Sequence, residues 1–212
     1  MGINIITIGR EFGSGGRELG RRLADELGFA YYDKEILYEI ADKTPYSQEY
    51  LEELSERRPV SLYPIHYGNT WGYWSGNAGS LQEFDVFKAS TKILREVAMN
   101  RPSVFIGRCS DYLLNDLHPL KIFVYADMAS KIARCRAREH EGEDLTDKQI
   151  ARKIKEVDRG RKRYYEFYTG QAWGAKENYD LMINTTGMDI KKLAHLLALY
   201  IQDIDKSESP KL

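Results

Sequence analysis

Glycines at 13, 15 and 16 stand between two arginines, at 10 and 17, in the run Gly9-Arg10-Glu11-Phe12-Gly13-Ser14-Gly15-Gly16-Arg17-Glu18. Glycine lets the backbone approach a ligand closely and turn its N–H groups inward, and arginine offers a planar, permanently charged fork for phosphate oxygens. Gly13, Ser14, Gly15, Gly16, Arg17 and Glu18 are therefore expected to cradle a phosphate chain. A bare turn would need fewer glycines and no arginine. The pattern G-x-x-x-x-G-K-[ST] is absent, because Gly16, Arg17 and Glu18 follow Gly15. The cation must come from Arg17, from Arg10 or from elsewhere. A second group of arginines, Arg134, Arg136, Arg138, Arg152, Arg159, Arg161 and Arg163, lies within 129–163. A phosphoryl group in flight spreads negative charge over its equatorial oxygens, so an arginine-bearing cover would stabilise such a transfer. Arg159, Arg161 and Arg163, alternating around Gly160, are the candidates for that work. Arg136, Arg138 and Arg152 read as a solvated helix face balanced by Glu139, Glu141, Glu143, Glu156 and Asp158.

The elements that must hold these residues follow from periodicity. Ile3, Ile5, Ile6 and Ile8 predict a strand before the glycine run. Leu19, Leu23, Ala24 and Leu27 then recur at helical spacing, and Gly28 ends the helix, whose positive N-terminal end faces the loop. Residues 29–32 predict a second strand delivering Asp33 to its carboxyl edge, where open α/β sheets meet ligands. Asp33 would contact substrate there, or cap the helix predicted over 34–42. A short helical pattern follows over 45–58. Over 60–79, Tyr63, His66, Tyr67, Trp71, Tyr73 and Trp74 are interleaved with glycines and fit neither period. That stretch would stack on a base or a partner, or form a loop whose rings pack locally. A long helix over 81–99 follows, with Phe84, Phe87, Ile93, Leu94 and Val97 facing inward. Apolar runs at 104–106, 120–125 and 179–184 predict strands, the first ending at Gly107-Arg108. A helix over 188–204 and a fraying polar tail over 205–212 close the chain. Strands separated by helices imply right-handed crossovers and a parallel, helix-covered sheet of about five strands. Its switch point would bring the glycine loop, Asp33 and Arg108 to one crevice.

With 212 residues, 42% of them hydrophobic and 30% charged, the chain supports one core in a single domain over 1–212. A formal charge of −1 argues against a general nucleic-acid surface. Cys109 and Cys135 lie far apart without C-x-x-C spacing, which suits free thiols in a reducing, cytoplasmic compartment. No apolar run is long enough to span a bilayer, and the four histidines lack ligand spacing, so neither membrane nor structural metal is expected. Self-association is left open.

The runs at 6–17, 32–34, 104–109 and 154–163 resemble those of the cytidylate kinase-like family, distant relatives of bacterial cytidylate kinase among the P-loop nucleoside monophosphate kinases. The resemblance implies a P-loop NTPase-type three-layer α/β/α fold with an NMP-binding helical insertion over 34–100 and an arginine-rich lid over 129–170. It also implies ATP with Mg²⁺ as donor and a nucleoside monophosphate, CMP or dCMP first, or another phosphorylated small molecule as acceptor. Carried over by position, Gly13 to Arg17 would hold the donor phosphates, Asp33 and Arg108 would face the acceptor, and Arg134, Arg159, Arg161 and Arg163 would be the lid arginines. The chain departs from the family pattern at four places. Gly16 stands for the P-loop lysine, Glu18 for the Mg²⁺-binding hydroxyl, Cys109 for the aspartate of Gly-Arg-Asp, and Glu39 for a phosphate-binding arginine. A nucleotide-binding regulator and a small-metabolite kinase are accordingly the two alternative functions.

Overall fold

A computed structural model describes residues 2–33, 78–138 and 145–208. The helices expected over 34–42 and 45–58 and the aromatic stretch up to residue 77 lie outside the described residues, as does Glu39. The sheet is parallel and five-stranded, with strands β1 Ile5–Arg10, β2 Ala30–Tyr32, β3 Ser103–Ile106, β4 Leu120–Tyr125 and β5 Leu181–Asn184. Their spatial order is β2-β3-β1-β4-β5. β1 and β3 are buried almost throughout, which explains their uninterrupted apolar runs. In register, Ile8 lies beside Ile106 on one side and Ile122 on the other. Connections leaving β1 and β4 run in opposite directions, and the crevice between them opens at the carboxyl ends.

Helix α1 (Gly16–Leu27) and the C-terminal helix α6 (Ile190–Glu208) cover one face. Leu19, Leu23, Ala194, Leu197 and Ile201 pack there on Ile6, Ile8, Val104, Ile122 and Val124. The other face carries α2 (Ala78–Asn100), whose Ile93 and Leu94 join Phe105, Leu114 and Ile5 in a second cluster. Gly28 ends α1 in the left-handed region at φ 69°, as its place in the periodicity predicts. α6 begins after Asp189, whose carboxylate accepts from the N–H groups of Lys191 and Lys192. It runs through Glu208, so 205–208 continue the helix where a fraying tail is expected. The last strand is shorter than its apolar run, because Tyr179 leaves the sheet to pack on Phe123.

Three more helices frame the site. α3 (Ser110–Leu113) follows β3, and α4 (Met128–Arg136) follows β4 with Asp127 as N-cap, accepting from the Ser130 N–H at 2.7 Å. α5 (Asp147–Thr169) opens on a capping box between Thr146 and Gln149 and stops at Gly170, φ 68°. Ile150, Ile154, Tyr165 and Thr169 are its buried residues at helical spacing. No helix among the described residues is long and apolar enough to cross a membrane.

Candidate functional site

The glycine run forms a tight loop over the carboxyl end of β1. Gly13 and Gly15 take φ of 75° and 84°, a region closed to most side chains. Gly15 is the N-cap of α1 and supplies no side-chain cap, so the positive end of the helix dipole meets the loop, where the Gly16 N–H donates to Ser14 Oγ at 3.4 Å. Ser14 is buried and bonds within the loop, its hydroxyl donating to the Glu11 carbonyl at 2.8 Å.

A cavity of about 410 Å³ lies over this loop. Its described lining holds Arg10, Arg17, Arg108, Arg138, Lys153 and Arg161 against only two carboxylates, Glu11 and Asp33. In a chain of formal charge −1, that local cation excess specifies an anionic ligand. Asp33 is buried, with Oδ2 2.5 Å from Arg17 Nε and Oδ1 3.6 Å from Arg10 Nη2. The expected meeting of the glycine loop, Asp33 and Arg108 is thus observed. Burial alone would lower the Arg17 pKa, but Asp33 and Tyr31 more than offset it and raise the value. Arg10 shows the opposite balance. Burial, then repulsion from Arg161 and Arg108, outweighs Asp33 and lowers its pKa to about 9.

The lid arginines do not share one face. Residues 159 and 163 are one helical turn apart, whereas 161 is rotated about 200° from each. Arg161 is partly buried, lines the cavity and donates from Nη1 to the Arg10 carbonyl at 3.3 Å, while Arg159 and Arg163 are on the exposed face. Arg159 lines a separate surface groove with Arg152 and Lys155. Arg134 lies behind the loop and not in the cavity lining. Its guanidinium donates to the Ser14 carbonyl and to both oxygens of Thr185. It holds the loop's shape from outside the cavity. Glu18 is also engaged, with Oε1 accepting from Arg22 at 2.9 Å and Oε2 from Arg138 at 3.1 Å.

Three further residues belong to the site. Lys131, buried on α4, places Nζ 2.5 Å from Glu11 Oε2 and 3.4 Å from Asp158 Oδ2. Asp158 Oδ1 in turn accepts from the Phe12 N–H at 2.6 Å, and the Glu11 carboxylate also accepts from the Ala126 N–H. Helix α5 is latched to the loop through this group. Burial raises the Asp158 pKa, although Phe12 and Lys131 act against it. Helical spacing puts 158 on the same side as 154 and 161, the signal that finds it. Lys131 has no such signal, because its partners are distant in sequence. Arg138 is solvent-exposed, as expected, and also lines the cavity, where it pairs with Glu18.

Past β3 the backbone is strained. Gly107, Arg108 and Cys109 take φ of 67°, 57° and 55° in succession. Cys109 is buried, and burial, then Asp111, raises its thiol pKa. A smaller pocket of about 60 Å³ adjoins here, walled by Tyr164, Tyr165, Trp173 and Tyr179 and sharing Arg10, Arg108 and Arg161 with the main cavity. The Tyr165 hydroxyl donates to buried Asp111 at 2.7 Å.

The profile described as Cytidylate kinase-like family matches residues 5–187. The chain belongs to that family. Among solved structures, it is 25% identical to an uncharacterized protein from Eubacterium ventriosum ATCC 27560, covering 93% of this chain and 98% of that one with a TM-score of 0.66. Shikimate kinase from Acinetobacter baumannii, in complex with shikimate, is 16% identical, with 98% and 96% covered and a TM-score of 0.52. Shikimate kinase from Bacteroides thetaiotaomicron is 16% identical, with 93% and 97% covered and a TM-score of 0.53. No curated protein matches the chain. The likeness to the two shikimate kinases establishes the fold alone, a P-loop kinase-like α/β/α layer structure.

Proposed function

We propose that the protein is a nucleoside monophosphate kinase-like phosphotransferase that moves the γ-phosphoryl of ATP to CMP or dCMP. The observation that carries this reading is the cation excess over an uncapped helix N-terminus at the sheet switch point, which fits a polyphosphate chain meeting a second anion. The step breaks the bond from the γ-phosphorus to its bridging oxygen, leaving ADP, and forms one to an acceptor phosphate oxygen. Positioning and charge stabilisation suffice for it. Gly13 to Arg17 hold the donor, Arg161 covers the transferred group from the lid, and Arg108 and Asp33 orient the acceptor. Mg²⁺ enters with the nucleotide as part of the substrate. Glu18 is committed to two arginines, Arg22 and Arg138.

The engagement of Glu18 favours a second reading, a regulator that binds nucleotide without efficient transfer. ADP release from Mg·ATP against CMP, dCMP, UMP, AMP, GMP and phosphorylated metabolites separates the two. Acceptor-dependent turnover that falls about 100-fold in Arg161→Ala and stays within about twofold in Arg159→Ala and Arg163→Ala supports the kinase. A preferred acceptor outside the nucleotides would make it a small-metabolite kinase. Ligand-induced stabilisation without turnover on any acceptor would leave the regulator.

A further inference from the structure

The chain lacks the lysine that a P-loop places after its last glycine, and the space that lysine would use is filled. A Cβ built on Gly16 falls 2.7 Å from Arg10 Cβ and 3.1 Å from Val124 Cβ. The Arg10 side chain thus starts almost where a residue-16 side chain would start. Its far end is accommodated by a second glycine. A Cβ on Gly107 would sit 1.7 Å from Arg10 Nη1 and 3.0 Å from its Cζ. The Arg10 side chain therefore runs from the end of β1 to the turn after β3, and it lines both the main cavity and the smaller pocket.

Charge points the same way. Arg10 is only 17% exposed at its side chain, and its carboxylate partner among the described residues, Asp33, is 3.6 Å away and closer to Arg17. Arg108 and Arg161 also repel it. A buried cation with more like-charged than opposite neighbours is held ready for an anion. Arg17 is the weaker candidate, being 55% exposed at its side chain, with Nε 2.5 Å from Asp33.

We propose that Arg10 is the cation that binds the donor phosphates in place of the missing P-loop lysine, with Gly16 and Gly107 as the two positions that make room for it. The proposal rests on the donor site assigned under Proposed function. It differs from the usual arrangement in origin and shape, since the charge comes from the end of the strand and is a fork able to span two phosphate oxygens.

The test is calorimetric binding of Mg·ATP and of inorganic tripolyphosphate to the full chain, with circular dichroism as the control for folding. Arg10→Gly should weaken both ligands at least about tenfold, and the swap Arg10→Gly/Gly16→Lys should recover binding to within about threefold of the parent. Arg152→Ala, on the exposed face of the lid helix, should bind as the parent does. Should Arg10→Gly not fold, Arg10→Gln, which keeps most of the stem and loses the charge, carries the same expectation. A folded Arg10 variant that binds tripolyphosphate like the parent overturns the proposal, as does a folded swap no tighter than Arg10→Gly. Failure of the parent to bind either ligand overturns both the proposal and the donor site. Parent binding lost with Arg10 but without phosphoryl transfer supports the proposal and sinks only the kinase reading.

Discussion

Two turns at the carboxyl edge, after β1 and after β3, meet across Arg10 and are built on opposite principles. The first uses glycine at its left-handed positions, 13 and 15, and is braced from outside by Lys131, Arg134 and Asp158. The second spends only one glycine, Gly107, and forces Arg108 and Cys109 into the same backbone region. A relaxed, braced loop suits a polyphosphate whose shape is constant. A strained turn holds one side chain, Arg108, in a fixed place, which suits the discriminating side of a reaction.

Removing the brace should have the largest effect on stability. Lys131→Met leaves the Glu11 and Asp158 carboxylates without their buried ammonium, and a loss of about 3–5 kcal/mol is expected in urea denaturation. A loss below about 1 kcal/mol would mean that the first turn needs no ionic support. Gly107→Ala comes next. Its methyl group would displace the Arg10 guanidinium at an unfavourable φ, so about 1–3 kcal/mol should be lost together with tripolyphosphate affinity. Arg108→Gly should act in the opposite sense, raising stability by about 1 kcal/mol while lowering acceptor-dependent turnover. Equal loss of stability and turnover would erase the distinction between the turns.

The smallest effect concerns the buried carboxyl beneath the second turn. Burial raises the Asp111 pKa, against the opposing hydrogen bond from Tyr165. The folded chain therefore holds that proton more tightly than the unfolded one. Its stabilising contribution is complete below the ordinary value of 3.8 and is lost as pH rises through the folded value. Asp111→Asn should flatten the melting temperature of the protein across that window. An unchanged pH slope would show that Asp111 does not titrate there.

The sheet was readable because its central strands are covered on both faces and carry almost uninterrupted apolar runs, as at Ile5, Ile6 and Ile8 or 104–106. Gly28 and Asp33 were equally plain, since helix stops and strand ends have local chemistry. The lid was harder. Arginines at 159, 161 and 163 look like one group on paper, yet only the full helical reading of 147–169 separates 161 from the other two. Lys131 and Arg138 were hidden for another reason. A charge on a helix reads as solvated until its partner is known, and the partners here, Glu11 and Glu18, are 120 residues away in each case. Arg10's route is concealed in another way, because it depends on the absence of two side chains, at 16 and 107.

The Thr185 hydroxyl donates to the Ser14 carbonyl at 2.6 Å across 171 residues of chain, beside the Arg134 guanidinium. During synthesis, β1 can pair with β3 and β4 well before residue 185 leaves the ribosome. The glycine loop, made before β3 and β4, acquires this restraint only after both of them have been made. A nascent chain of this protein can thus assemble most of its sheet before its glycine loop is fastened by Thr185, and a truncation before that residue would leave the loop without this restraint.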